Sequence, residues 1–108
     1  MTLDLHTIRD TAHAGRLTWR YHALRRAGER GITRSQARQV LTAGEIIEER
    51  PDATPYPQCL MMAMMEGERP LYVALGYDED DDRIYVITVH WLDPKKWDDP
   101  WTRRSRPS

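Results

Sequence analysis

Apolar residues recur at helical spacing along the first 44 positions, then switch to the short period and continuous runs of strands. Over 3–14, Leu5, Ile8 and Ala12 stand at i, i+3 and i+7, which predicts a helix stopping near Gly15. A second helix is expected from a Thr18 cap to about position 27–29, with Tyr21, Leu24 and Ala27 or Gly28 as its buried stripe. The third is the best specified. Thr33-Arg34-Ser35-Gln36 reads as a capping box, in which two side chains satisfy backbone N–H groups that a helix start leaves unpaired. Ala37, Val40 and Leu41 supply its apolar face, and Gly44 is expected as a left-handed stop.

Beyond Gly44 the pattern predicts strands over 45–49, 59–65, 71–77 and 83–91, the last rich in β-branched and aromatic residues. A proline-bounded loop at 51–57 holds Tyr56, and the acidic run 78–82 reads as a hairpin turn. Short connections imply antiparallel pairing. The expected fold is α+β: two to three N-terminal helices packed on a three- to four-stranded antiparallel sheet, one domain over 1–102, with 103–108 a flexible basic tail. Trp97 and Trp101, set among charges, are candidates to anchor the start of that tail.

Composition narrows the class. The 108 residues contain no run of ~18 apolar positions, so no membrane span or membrane partner is expected. The N-terminus lacks the basic-then-apolar pattern of a secretory signal, and Cys59 is the single cysteine, so a reducing, cytoplasmic setting is expected. The net charge of −1 hides a division along the chain. Positions 1–44 carry eight arginines against three acids, 45–93 carry three arginines against twelve acids, and 94–108 carry five bases against two acids. Basic ends flanking an acidic middle suggest an anionic partner on one side; arginines coating solvated helix faces would produce the same pattern.

Candidate chemistry centres on the second helix. His22, Arg26 and Arg30 stand at i, i+4 and i+8 and share one helix face. An imidazole can move a ribose 2′-OH proton, and guanidinium groups can stabilise the charge of a phosphorane. The alternative is a half-buried helix histidine with two solvated arginines. Thr88 and His90 share a face of the last strand, and Tyr72 or Tyr77 is within reach from the neighbouring strand, in a register left open at this point. Tyr56 and Lys96 are candidate substrate contacts, against plain packing for the tyrosine and a solvated tail position for the lysine. The acidic run lacks the spaced glycine and distal glutamate of a calcium loop, and His6 and His13 lack partners for zinc; no metal or other cofactor is expected. No phosphate-binding glycine loop or nucleophile elbow is present.

The series His22-Ala23-Leu24-Arg25-Arg26, Arg30-Gly31-Ile32-Thr33, Gly44-Glu45-Ile46-Ile47-Glu48, Arg69-Pro70-Leu71 and Val86-Ile87-Thr88-Val89 resembles the signature of a bacterial family of formally unknown function. That family is similar in predicted fold to RelE/ParE-like type II toxins. The resemblance spans about 18–97 and implies a toxin held by a cognate antitoxin of a zinc-ribbon or helix-turn-helix kind. It implies a metal-independent endoribonuclease that cleaves RNA by 2′-OH attack, with His22 and Arg26 in the site and Arg30 and Thr88 in support. Two positions depart from the family pattern: Tyr72 stands where histidine is common, and His90 where tyrosine is common. If these two face each other, the pair has exchanged places, and one of them serves as the second proton-transfer group; if they do not, the catalytic set is incomplete. The competing expectation is a non-catalytic RNA- or protein-binding module of the same fold, which the near-neutral net charge favours.

Overall fold

Capping chemistry and short apolar stripes set the three helices. The computed structural model describes residues 3–105. Helix α1 (Leu5–His13) starts where the Asp4 carboxylate accepts the His6 N–H at 2.9 Å, and it buries Ile8, Thr11 and Ala12. Helix α3 (Arg34–Ala43) opens on both bonds of the expected capping box: the Gln36 N–H donates to Thr33 Oγ1 at 3.0 Å, and the Thr33 N–H donates to Gln36 Oε1 at 2.9 Å. Ala37, Val40 and Leu41 are fully buried. Arg38 on the same helix donates to the Ala12 and His13 carbonyls, pinning the free C-terminal end of α1.

The second helix departs from expectation at its start. Leu17–Trp19, including Thr18, forms strand β1, and helix α2 runs Tyr21–Arg30 from an Arg20 N-cap that makes no side-chain bond. Three residues are too few to show a strand period, and pairing with a distant strand, visible only in the folded chain, decides their conformation. The buried stripe of α2 is Ala23 and Ala27, whereas Tyr21 is 72% exposed. Gly31, with φ of 67°, supplies its left-handed cap.

Strands β2 (Glu45–Arg50), β3 (Gln58–Met65), β4 (Arg69–Asp78) and β5 (Arg83–Trp91) pair antiparallel in sequence order. Strand β1 adds to β5 in parallel, Leu17 opposite Ile84 and Trp19 opposite Val86. The sheet is therefore five-stranded and mixed, in the order β1-β5-β4-β3-β2, where three to four antiparallel strands were expected. The three helices cover one face and enclose the main core with Met61, Leu71, Val73, Leu75, Ile84, Val86 and Val89.

Strand β5 does not alternate evenly. Ala74 pairs with Thr88 but Leu75 pairs with Val86, so Ile87 is an extra residue, a β-bulge. Ile84 and Val86 point into the core; strict alternation from them would send Thr88 and His90 the same way. The bulge resets the phase: Val89 is buried, while Thr88 and His90 lie on the open face.

That face carries a second, smaller core of Leu60, Met62, Tyr72 and Trp97. It is covered by a hairpin of β6 (Trp97–Asp98) and β7 (Arg103–Arg104). Trp97 is 2% exposed and stacks on Tyr72 with ring centroids 4.7 Å apart, an anchor whose truncation to alanine typically costs ~3–5 kcal/mol. Arg104 grips Glu48 with two bonds of 2.7 and 3.0 Å. The tail expected to be flexible from position 103 thus has Arg103 and Arg104 in a strand; positions 106–108 lie outside the described residues. The acidic turn is spent on structure: the Asp78 side chain accepts the Asp80 and Asp81 N–H groups, and Asp82 accepts the Thr11 and Tyr77 hydroxyls.

Gly44 is extended, with φ of −82°, and so is not the left-handed stop expected. Its role is close approach: a Cβ there would lie 2.5 Å from the Val40 carbonyl oxygen and 2.7 Å from that of Met62. Gly28 in α2 has nothing within 4 Å of a built Cβ. The two glycines should respond oppositely to alanine in thermal or denaturant unfolding: Gly44→Ala loses ~2 kcal/mol or more from backbone overlap, and Gly28→Ala gains ~0.5–1 kcal/mol from helix propensity. A neutral Gly44→Ala would refute the packing assigned to the α3–β3 junction.

Candidate functional site

Register between β4 and β5 answers the question left open by the sequence. Tyr72 stands directly opposite His90, and their rings stack at 5.0 Å with planes 6° apart. Trp97 continues the stack on the other side of Tyr72. The imidazole is therefore held flat on an aromatic base, with its outer side toward a hollow of about 500 Å³ lined by Arg30, Thr88, His90, Lys96, Trp97 and Arg104, among others. A smaller cavity of about 230 Å³, floored by Leu60, Ala74 and Ile87, shares Thr88, His90 and Arg104 with it.

Three cations surround the ring. Arg30 reaches from the end of α2 and donates to the Val89 carbonyl at 2.6 Å, while its own carbonyl accepts the Trp91 indole N–H at 2.8 Å. One of its five N–H donors is so engaged, leaving the rest for a ligand. Arg104 is held by Glu48 and lies over Trp97, 4.7 Å from the ring centre. Lys96 is exposed and, among the described residues, has no carboxylate within ion-pair distance. Burial, then Arg30, Arg104 and Lys96, hold the His90 pKa down to about 4, so the imidazole is neutral at ordinary pH.

Tyr72 is fully buried and its hydroxyl donates to the Trp101 carbonyl at 2.7 Å; burial pushes its pKa up to about 12. Its hydroxyl is committed, so Tyr72 serves as the platform for His90 and is not placed to carry protons. Cys59 is buried at the edge of the smaller cavity with its thiol pushed up to about 12, too high for a nucleophile at neutral pH.

The other predicted residues lie elsewhere. His22 and Tyr56 line a separate open hollow with Thr18, Arg20, Tyr21 and Tyr85. There Tyr56 and Tyr85 stack at 5.2 Å, and Tyr21 meets His22 edge-on at 5.8 Å. Arg26 is exposed and pairs with Glu29 at 3.3 Å. The structure thus brings together Arg30, Thr88, His90 and Lys96 over Tyr72, and it sets His22 with Tyr56. Sequence reasoning missed Arg104 and Trp97 as site residues; the signal was two tryptophans in a basic tail, without a contact to locate them.

The molecule is an α+β protein with a cationic hollow built around a neutral imidazole on an open sheet face. A family model described as Domain of unknown function (DUF4258) matches residues 19–91, and the chain belongs to that family. No curated protein and no solved structure matches it. No helix of the described residues is long and apolar enough to cross a membrane, and no group of three or more metal-ligating side chains gathers among them.

The low pKa of His90 carries a stability signature. In the unfolded chain its imidazole takes up a proton near pH 6.5, in the folded chain only near 4. As pH falls from about 6.5 toward 4 the unfolded state binds the extra proton, so stability, full above that window, declines through it. Thermal midpoints should fall between pH 6.5 and 5, before most carboxylates titrate, and His90→Asn should flatten that segment. An imidazole resonance titrating at an ordinary pKa near 6.5 would contradict the assigned environment.

Proposed function

We propose that the protein is an RNA-directed enzyme of the metal-independent endoribonuclease type, with His90 as its proton acceptor. The observation that carries this reading is a neutral imidazole fixed on Tyr72 among Arg30, Lys96 and Arg104. Such a set suits attack of a ribose 2′-oxygen on the adjacent phosphorus. His90 takes the 2′-OH proton, the new P–O2′ bond forms, and the P–O5′ bond breaks. The leaving 5′-oxygen is protonated by the imidazolium or by water, which gives a 2′,3′-cyclic phosphate and a 5′-hydroxyl. Arg30 and Lys96 face the charge that grows on the phosphoryl oxygens.

The basicity of His90 fits this use once a phosphate is bound. At a pKa of about 4 the ring is available but weak as a base. A phosphodiester offsets the three neighbouring cations, which raises the imidazole pKa in the complex. The role moves from His22, which lines the other hollow, to His90. The toxin role and a cognate antitoxin as partner rest on the resemblance to RelE/ParE-like toxins and stand with it.

A second reading, RNA binding without cleavage, is favoured by one observation: the Tyr72 hydroxyl is bound to Trp101 and His22 lies apart, so no second proton-transfer side chain from the predicted set accompanies His90. Single-stranded RNA incubated with the purified chain distinguishes the two. Cleavage should leave cyclic-phosphate ends, persist in EDTA, and fall ~10²–10⁴-fold in His90→Ala with circular dichroism unchanged. Retarded but intact RNA selects the binding reading, and full cleavage by a folded His90→Ala protein sinks the catalytic one.

A further inference from the structure

We propose that the open sheet face seats unpaired RNA, with a base stacked in the tyrosine hollow at Tyr21, Tyr56 and Tyr85 while a phosphate lies at His90. The inference rests on the reading of His90 as a phosphodiester site and adds a substrate class: single strands, not duplexes.

Two observations join the two ends. Tyr85 and His90 lie on the same strand, β5, opposite Gly76 and Tyr72, four ladder steps or about 13 Å apart at ~3.3 Å per step. Between them the smaller cavity, with Leu60, Ala74 and Ile87 as its floor, opens on the same face and reaches His90 itself. The tyrosine hollow, the smaller cavity and His90 thus follow one another along one strand, a broken trough of two hollows that share no lining residue.

Its chemistry alternates as a single strand requires. Tyr21 is 72% exposed at the hollow, far more than a tyrosine held for packing, and Tyr56 and Tyr85 stack on each other beside it, 2° from parallel, so a base can meet that pair only on an outer face. Base stacking on such rings needs an unpaired base, since a duplex keeps its π-faces covered. Arg20 borders the hollow, Arg50 borders the cavity, and Arg30, Lys96 and Arg104 border the far end, so positive charge follows the trough along its length. Glu48 and Asp93 line it, and Asp78 lies against the Tyr56 hydroxyl; Glu48 is taken up by Arg104, one Asp93 oxygen accepts the Lys95 N–H, and Asp78 accepts the Asp80 and Asp81 N–H groups. A peptide partner would explain exposed tyrosines equally, but not the succession of Arg20, Arg50, Arg30 and Lys96 beyond the Arg104–Glu48 pair.

The test uses the full chain and a fluorescent 2′-O-methyl oligoribonucleotide, which lacks the attacking hydroxyl, as a single strand and as a blunt duplex. Anisotropy should show tighter binding of the single strand. Tyr21→Ala should weaken that binding by about 5- to 100-fold, Tyr21→Trp should restore it, and neither should alter duplex binding. The exposure of Tyr21 makes both substitutions neutral to folding. Arg30→Ala with Lys96→Ala should weaken both probes. Equal affinity for the two probes, or unchanged single-strand binding in Tyr21→Ala, overturns the inference while leaving the His90 reading intact when the Arg30/Lys96 variant still loses affinity. No binding of either probe overturns both.

Discussion

One extra residue governs where the chemistry lies. The bulge at Ile87 shifts the phase of β5 so that Val89 enters the core and His90 emerges on the opposite side. Without it, alternation would send the imidazole to the helix-covered face and its apolar core, where burying a polar ring is costly unless it is hydrogen-bonded. With it, the ring meets Tyr72 across the ladder, Trp97 completes the stack, and the tail hairpin has something to close on. Register, ring stacking, depressed basicity and the surrounding cations all follow from that local irregularity.

Arginine in this chain has two occupations. Arg9, Arg16 and Arg38 donate to backbone carbonyls of Gly44, of Asp81 and Asp82, and of Ala12 and His13, tying the helices to each other and to the acidic turn. Much of the positive charge of the first 44 residues is therefore structural. The cations of the hollow come from both ends of the chain: Arg30 from α2, and Lys96 and Arg104 from the tail. This explains how a protein with a net charge of −1 presents a concentrated positive surface.

What was legible in the sequence had local causes. The capping box of Thr33 and Gln36, the stripe of Ala37, Val40 and Leu41, and the strand runs from Glu45 to Trp91 are written in neighbouring residues. What escaped was decided at a distance. Leu17–Trp19 becomes a strand because β5 lies beside it, and the bulge exists because two faces must be satisfied by one strand. The site follows the same division. His90, Thr88, Arg30 and Lys96 could be named as candidates, but their gathering over Tyr72, apart from His22, depends on register and on a tail hairpin whose contacts leave no local pattern.

Arg30 also settles a problem of association. Strand β1 shields β5 only from Ile84 to Val86, so the outer rim of the remaining half offers backbone acceptors to any passing strand. The Arg30 guanidinium fills the Val89 acceptor, and its backbone carbonyl is in turn secured by the Trp91 indole. A cationic side chain bound along that rim disfavours strand addition between copies, and the same guanidinium lies beside His90. The guarding of that strand rim and the electrostatics of the hollow therefore share a single side chain.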